Sequence, residues 1–282
     1  MTHRIYYFSG TGNSLWVTRK IRDFLPDTDI IPITRDLPAE LAAQKSEGSE
    51  TLESVGLVFP VYLGKPPRIV LEFIRKMPKA DYIYAVATCG MMPGKALTDI
   101  KKGLLSTGIS LSAGYIIPLI SNFVPLPKTK SEAGIEKAFK KAEAKAQIIS
   151  MNVQKKVSHF DKETPSILVK PASWLLLNRG YRLIPELDGK FSVNDACDNC
   201  GACQKVCPVQ NIEMTASKPV FLHNCEMCFS CINWCPRQAI NWASLTKKRK
   251  RYHCKGISQN DVVSNRYYKK DDNILRHNEE NV

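Results

Sequence analysis

The chain lacks long apolar runs, both near its start and in its interior. Its strongest apolar stretches, 167–169 and 174–177, are short and are broken by charged residues and a proline. A membrane-spanning helix needs about 20 predominantly apolar residues. Residues 1–4 lead directly into a short strand-like segment, without the apolar run of a signal peptide. We therefore expect no membrane span, and a cytoplasmic location in which thiols stay reduced.

Histidine is scarce, and no pair of side chains typical of acid–base catalysis is present. Four of the five histidines are scattered along the second half of the chain, at His159, His223, His253 and His277. Each is expected to be structural or exposed. We therefore predict no catalytic residue, and nothing in the sequence names a substrate.

Cysteine is abundant by contrast, and eight of the ten cysteines form two matching runs. The first run is Cys197, Cys200, Cys203 and Cys207, and the second is Cys225, Cys228, Cys231 and Cys235. Each run reads C-x2-C-x2-C-x3-C-P, which is the bacterial ferredoxin spacing for [4Fe–4S] clusters. The duplication predicts two clusters, whose use in a small module is to hold and pass single electrons.

The fourth cysteine of each run is expected to ligate the other cluster, as in two-cluster ferredoxins. One predicted ligand set is Cys197, Cys200, Cys203 and Cys235. The other is Cys207, Cys225, Cys228 and Cys231. Structural zinc and disulfides are the alternatives. Paired zinc ribbons need no proline after the fourth cysteine, and disulfide frameworks are typical of small secreted domains.

The first 160 residues alternate strand-like and helix-like segments. Strands are predicted at 5–8, 29–33, 55–59, 82–88 and 111–117, with helices between them and a long helix near 132–158. Near-continuous apolar strands alternating with helices indicate a parallel sheet covered on both faces. The fold class is therefore α/β, with a doubly wound sheet of five parallel strands.

Composition changes divide the chain into four parts. We predict an α/β domain at 1–160 and a helical connector at 161–189. A small α+β domain that carries the two clusters follows at 190–245, and a basic C-terminal tail occupies 246–282.

A loop rich in glycine and hydroxyl groups joins the first strand to the first helix. It consists of Ser9, Gly10, Thr11, Gly12, Asn13 and Ser14. Hydroxyls and helix-start N–H groups can converge there on an anion. The Walker A lysine is missing, and Leu15 replaces the third glycine of the dinucleotide fingerprint. The loop therefore fits the phosphate monoester of FMN, and an ordinary glycine-rich turn is the alternative.

Two further loops follow the third and fourth strands, at the sheet edge where such folds bind ligands. The predicted flavin contacts in them are Pro60, Val61, Tyr62, Leu63, Gly64, Thr88, Cys89 and Gly90. Tyr62 is expected to stack on the isoalloxazine, and Lys65 to offset negative charge on a reduced flavin. A purely structural role is the alternative for each residue, and Cys89 is expected to be a buried apolar side chain.

The chain resembles the bacterial and archaeal flavodoxin–ferredoxin fusions. The resemblance rests on the opening segment 5–14, the strand end 59–62, the two cysteine runs and the later Arg251-Tyr252-His253. It covers the chain to about residue 257. It implies a short-chain flavodoxin-like domain that binds FMN, a ferredoxin domain with two [4Fe–4S] clusters, and the cytoplasm of an anaerobe.

These motifs together predict an electron-transfer protein that relays electrons between two [4Fe–4S] clusters and an FMN. One alternative is a dicluster carrier whose flavodoxin-like domain is a docking module without FMN. Another is a flavin-dependent reductase of a small substrate. Because no acid–base pair is present, the sequence favours a carrier over a substrate-specific oxidoreductase.

The formal net charge is +13, with the basic excess near 132–158 and 247–251. A basic surface could steer acidic redox partner proteins toward the molecule. No nucleic-acid-binding motif accompanies these residues, so a solvated helix face is the favoured interpretation and no nucleic-acid partner is predicted.

Overall fold

A six-stranded parallel sheet forms the N-terminal part of the chain. The computed structural model describes residues 2–35, 37, 52–90, 92–125, 131–163 and 179–264. The strands are β1 (Thr2–Tyr7), β2 (Thr28–Pro32), β3 (Leu52–Pro60), β4 (Ala80–Cys89), β5 (Ala113–Pro118) and β6 (His159–Phe160). Their order is β2-β1-β3-β4-β5-β6, and all neighbours are parallel. The first five strands therefore have the flavodoxin-like order.

The predicted α/β class is confirmed, with one strand more than expected. Strand β6 has only two residues, and both are exposed. It pairs with Ala113 and Gly114 of β5 at the edge of the sheet. A two-residue exposed strand has no apolar pattern, so the sequence gives no signal for it.

Helices cover both faces of the sheet. They are α1 (Asn13–Phe24), α2 (Arg68–Phe73), α3 (Ala96–Leu105) and α4 (Glu132–Gln154). Alternate residues of a strand point to opposite faces. Tyr6 and Phe59 therefore pack with α2 and α3, whereas Ile5 and Val58 pack with α1 and α4. Both faces are buried, which explains why the strands read as continuous apolar runs.

The cysteine runs lie in a smaller α+β region. A 3₁₀ helix at Ile184–Lys190 precedes β7 (Phe191–Val193), α5 (Ala202–Lys205), β8 (Ile212–Met214), β9 (Pro219–Phe221), α6 (Ser230–Trp234) and β10 (Ile240–Trp242). Antiparallel pairs form between β7 and β10 and between β8 and β9. The short helices α5 and α6 each begin inside one cysteine run, so the duplication in the sequence is also a duplication in structure.

The chain returns to the α/β domain after β10. Cys254, Ile257 and Val262 are buried in the same apolar cluster as Leu15 of α1, and α7 (Gln259–Ser264) ends the described part. The remainder of the predicted tail and most of the predicted connector, residues 164–178, lie outside the described residues. Within the described residues, no helix has both the length and the apolar character needed to cross a bilayer.

Candidate cofactor cavity and cluster-binding loops

The loop between β1 and α1 is held by a set of local polar contacts. The N–H of Gly12 donates to Ser9 Oγ at 3.2 Å, and Ser14 Oγ lies 2.9 Å from Thr88 Oγ1 at the end of β4. Gly12 has a φ of 99° immediately before α1. This left-handed conformation favours glycine and turns the chain sharply into the helix.

One polar group in this loop is buried without a protein partner. Thr11 is 1% exposed, and its hydroxyl makes no hydrogen bond among the described residues. Buried hydroxyls nearly always have a partner, because leaving one unsatisfied costs about 1–3 kcal/mol. Thr11 lines a cavity, so a ligand there could supply the missing acceptor or donor.

The cavity has a volume of about 510 Å³. Small-molecule sites typically occupy roughly 300–1,000 Å³. Thirteen of the fourteen residues predicted as flavin contacts line it: Ser9, Gly10, Thr11, Asn13, Ser14, Pro60, Val61, Tyr62, Leu63, Gly64, Thr88, Cys89 and Gly90. Gly12 does not line it, because its backbone faces Cys254 and Ile257. The ends of β1, β3 and β4 therefore meet at one concave site.

Other residues line the cavity without having been predicted as contacts. The loop after β5 contributes 120–123. It follows a fourth C-terminal strand end and could have been included on the same argument. The cysteine-bearing region contributes an apolar roof: Ile184, Leu187, Met227, Phe229 and Trp242. No sequence signal places this roof over the loop before α1, because the two segments lie more than half a chain apart.

Lys65 has a different environment from the one predicted. Its Nζ lies 5.2 Å from the centre of the Tyr181 ring, and Lys65 does not line the cavity. The Tyr181 hydroxyl donates to the carbonyl of Pro66 at 2.7 Å. Tyr181 thus holds Lys65 at the outside of the 60–64 loop, where the ammonium group makes a cation–π contact.

The two predicted ligand sets are called here the first group, which contains Cys197, and the second group, which contains Cys225. Burial raises the pKa of Cys203 to about 11, and the nearby thiolates of Cys235 and Cys197 add to this shift. Burial also raises the pKa of Cys231, with further contributions from the nearby thiolates of Cys225, Cys228, Cys207 and Cys203. Cys235 of the second run therefore lies near Cys203 of the first, and Cys207 of the first run lies near Cys231 of the second, but Cys203 and Cys231 also lie near each other.

Backbone N–H groups point at several of these sulfurs. Asn211 donates to Cys207 Sγ at 3.2 Å, Met227 to Cys225 Sγ at 3.2 Å, and Ala239 to Cys235 Sγ at 3.3 Å. N–H···S bonds stabilise thiolate charge and help to set the reduction potential of a cluster. The donor set therefore fits iron–sulfur clusters.

None of the ten cysteines, all of which are described, forms a disulfide. Within the described residues, no three Cys, His, Asp or Glu side chains are grouped as ligands of a single metal ion.

The second cysteine run is in direct contact with the loop before α1. The carbonyl of Gly10 accepts from Ser230 Oγ at 2.8 Å and from Trp234 Nε1 at 3.1 Å. Asn122 Nδ2 donates to the carbonyl of Cys228 at 3.4 Å. A Cβ atom on Gly10 would stand 3.0 Å from that same carbonyl oxygen. The cavity and the second cysteine run therefore share a tightly packed boundary.

A buried carboxylate ties the same run to α2. Glu226 is 2% exposed and accepts from the N–H groups of Arg68 at 3.0 Å and Ile69 at 3.2 Å. Arg68 Nε lies 3.4 Å from the carboxylate. Burial raises the pKa of Glu226 to about 7, although Arg68 and the two N–H groups oppose the shift. Glu226 thus joins the cysteine-bearing region to the start of a sheet-covering helix.

We expect Glu226→Gln to lower the free energy of unfolding by about 2 kcal/mol, because a charge-assisted contact is lost and Arg68 is left with a neutral partner. Anaerobic urea denaturation of the cofactor-loaded chain measures the change. Glu72→Gln is the matched control, since Glu72 is an exposed carboxylate on the same helix. Equal effects of the two variants would show that Glu226 contributes no particular stability to this contact.

Comparison with known proteins agrees with this two-part architecture. Residues 190–236 match the family of the 4Fe-4S dicluster domain. No curated protein is significantly similar to the chain in sequence.

Three solved structures are similar to the N-terminal part. Two-electron reduced flavodoxin from Megasphaera elsdenii has 18% identity and a TM-score of 0.34, over 51% of this chain and 99% of its own. A flavoprotein in complex with FMN from Lactobacillus acidophilus has 12% identity and a TM-score of 0.30, over 41% and 91%. An FMN-dependent NADH-azoreductase from Bacillus anthracis in complex with FMN has 10% identity and a TM-score of 0.35, over 53% and 100%.

The first five strands have the flavodoxin-like order, and residues 190–236 match a 4Fe-4S dicluster domain. The chain thus joins a flavodoxin-like sheet to a dicluster domain, a combination that suggests redox electron transfer.

Proposed function

We propose that the chain relays electrons between two [4Fe–4S] clusters and an FMN held in the cavity. The single observation that carries the proposal is the boundary at Gly10. Its carbonyl is bonded by two side chains of α6, Ser230 and Trp234, and its α-carbon packs against Cys228. A cofactor bound by the loop before α1 would therefore lie next to the second group of thiols.

The residues around the cavity fit FMN in chemistry and in size. The hydroxyls and N–H groups of the 9–14 loop would hold the phosphate at the start of α1, where the helix dipole favours an anion. The buried Thr11 hydroxyl would gain the partner that it lacks within the described chain. The apolar walls at 60–64 and the roof from the cysteine-bearing region would enclose the ring system.

Bound clusters exchange single electrons, whereas a flavin exchanges one or two, so the combination links one-electron to two-electron chemistry. The protein would hold the cofactors at fixed positions and keep water away from the boundary between them. Met227 and Phe229, the neighbours of Cys228 in the sequence, add apolar side chains to the cavity wall beside the second run. Burial of this kind lowers the local dielectric and helps to set the potentials.

The two thiol groups differ in their access to solvent. In the group that contains Cys225, Cys228 and Cys231 are buried and no cysteine is exposed. In the other group Cys203 is buried, but Cys200 is exposed. We propose that redox partner proteins approach the surface around Cys200, and that the buried group serves the internal boundary with the cavity. Asp198 and Arg237, which form an ion pair at 2.8 Å, lie in the same exposed region.

Anaerobic reconstitution tests the proposal. After gel filtration, we expect about eight irons per chain and one FMN, with visible and EPR spectra that report clusters and flavin together. Iron without retained flavin would contradict the relay and would support the dicluster carrier with a docking domain. Turnover of quinones or nitro compounds by the loaded protein would instead support a flavin-dependent reductase.

A further inference from the structure

The segment Arg251, Tyr252, His253 and Cys254, called here the strap, crosses the boundary between the cysteine-bearing region and the cavity. The Arg251 guanidinium donates to the carbonyl of Ile240 and to Asn241 Oδ1, both at 3.0 Å. At the other end, the N–H of Cys254 donates to the carbonyl of Thr11 at 3.0 Å. The strap therefore begins on β10 and ends on the loop that lines the cavity.

Tyr252 occupies the centre of the strap and contacts both sides. Its N–H donates to Asn233 Oδ1 at 2.8 Å, and Asn233 lies in α6 between two cysteines of the second run. Its hydroxyl donates to Asn13 Oδ1 at 2.6 Å. Tyr252 is 7% exposed, so both bonds are sheltered from competing water and hold the two elements at a fixed separation.

The hydrogen bond from Tyr252 fixes the orientation of the Asn13 side-chain amide toward the cavity. Asn13 is the first residue of α1 and lines the cavity. Its Nδ2 donates to the carbonyl of Ile120 at 2.8 Å, while its Oδ1 accepts from Tyr252. An amide nitrogen carries two hydrogens, so, as far as the described residues go, one N–H remains for a ligand. With both ends of the amide held, the orientation of the second N–H is set before a ligand binds.

The other side chains of the strap support this arrangement. The His253 ring stacks on Trp234 with ring centroids 4.3 Å apart, and it hydrogen-bonds the carbonyl of Asn233. Trp234 is one of the two donors to Gly10. A Cβ atom on Gly12 would stand 2.9 Å from Cys254 Cβ. The strap is thus packed against the loop through both its backbone and its side chains.

We propose that Tyr252 is a positioning residue for the cofactor phosphate, acting through Asn13. The inference rests on the proposed function, since it assumes that the loop before α1 receives the phosphate of FMN. It assigns a role to Arg251-Tyr252-His253, a motif far from the loop in sequence. Removal of the Tyr252 hydroxyl leaves the Asn13 amide held only by its bond to the carbonyl of Ile120, which loosens its orientation and weakens the phosphate contact. The ring of the phenylalanine variant still fills the same apolar site.

The test compares FMN with riboflavin, which has the same ring system and no phosphate. For the cluster-loaded Tyr252→Phe variant, we expect FMN affinity to fall on the order of tenfold, as for a lost buried hydrogen bond. Riboflavin affinity and iron content are expected to stay unchanged. Flavin fluorescence titration under anaerobic conditions measures both affinities. Adding Asn13→Ala to Tyr252→Phe should cause no further loss beyond that of Asn13→Ala alone, because both act on one contact.

Tyr82→Phe is the matched control. The Tyr82 hydroxyl donates to the carbonyl of Val157 at 2.7 Å, Tyr82 is 2% exposed, and it does not line the cavity. This control should leave both flavin affinities unchanged. An equal loss of FMN and riboflavin affinity in Tyr252→Phe, or no loss of FMN affinity, would overturn the positioning role. Failure of the unaltered chain to bind FMN would overturn the proposed function and the inference with it.

Discussion

Cys231→Ser is expected to halve the iron content of the reconstituted protein, from about eight to about four irons per chain. Cys231 is buried and lies near the thiols of Cys207, Cys225 and Cys228 of its predicted ligand set, and also near that of Cys203. Loss of one thiolate from a buried set leaves one iron of the cluster without a protein ligand. Water cannot easily take the place of that thiolate, because the surroundings are apolar. Iron analysis and EPR of protein prepared without oxygen measure the change.

Double variants then test which cysteines share a cluster. Cys207→Ser combined with Cys231→Ser should still retain about four irons, because both residues belong to one predicted ligand set. Cys207→Ser combined with Cys203→Ser should lose nearly all iron, since the two belong to different sets although they lie in the same run. The reverse result would show that each run holds its own cluster. Cys89→Ser, outside both runs, should keep the full iron content.

Gly10→Val is expected to weaken FMN binding by roughly 10- to 100-fold, the effect of an overpacking cost of about 1–3 kcal/mol. A Cβ atom at this position would stand 3.1 Å from Cys228 Cβ and 3.3 Å from the Tyr62 hydroxyl. The two methyl groups of valine would need more space still. The loop before α1 and the second cysteine run must then separate, which also disturbs the bonds from Ser230 and Trp234.

Fluorescence titration with FMN measures this effect. Iron analysis of the same samples shows whether the neighbouring thiols still hold their cluster. Gly10→Ala should give a smaller loss, because it adds the Cβ atom without the methyl groups. Gly189→Val is the control, since a Cβ atom on Gly189 would meet only His223, at 3.9 Å. Full FMN affinity in Gly10→Val would mean that close packing at Gly10 is not required for the cofactor site.

Several elements could be predicted because their signals are local. The strands at 5–8 and 55–59 are short apolar runs, and the structure places them in the centre of the sheet as β1 and β3. The helix after the 9–14 loop follows a regular apolar spacing that ends near Pro26. Strand β6 has no sequence signal because its two exposed residues carry no pattern. The contact of Lys65 with Tyr181 could not be predicted either, because Tyr181 approaches from a distant segment.

The sequence by itself determined the chemistry of the molecule. Cysteine spacing specifies the kind of metal site, since three thiols in a short loop can reach one cluster. The glycines and hydroxyls before α1 predict an anion-binding turn for the same local reason. Both features depend on residues within about ten positions of each other, so no knowledge of the fold is needed to recognise them.

Only the tertiary structure decided how these two sites relate to each other. The bond from Ser230 to Gly10 joins residues 220 positions apart, and the bond from Tyr252 to Asn13 joins residues 239 positions apart. Contacts over such separations leave no periodicity in the sequence, because they depend on how whole elements pack. The apolar roof and the strap can therefore be recognised only in the tertiary structure. They bring the predicted flavin and cluster sites into contact.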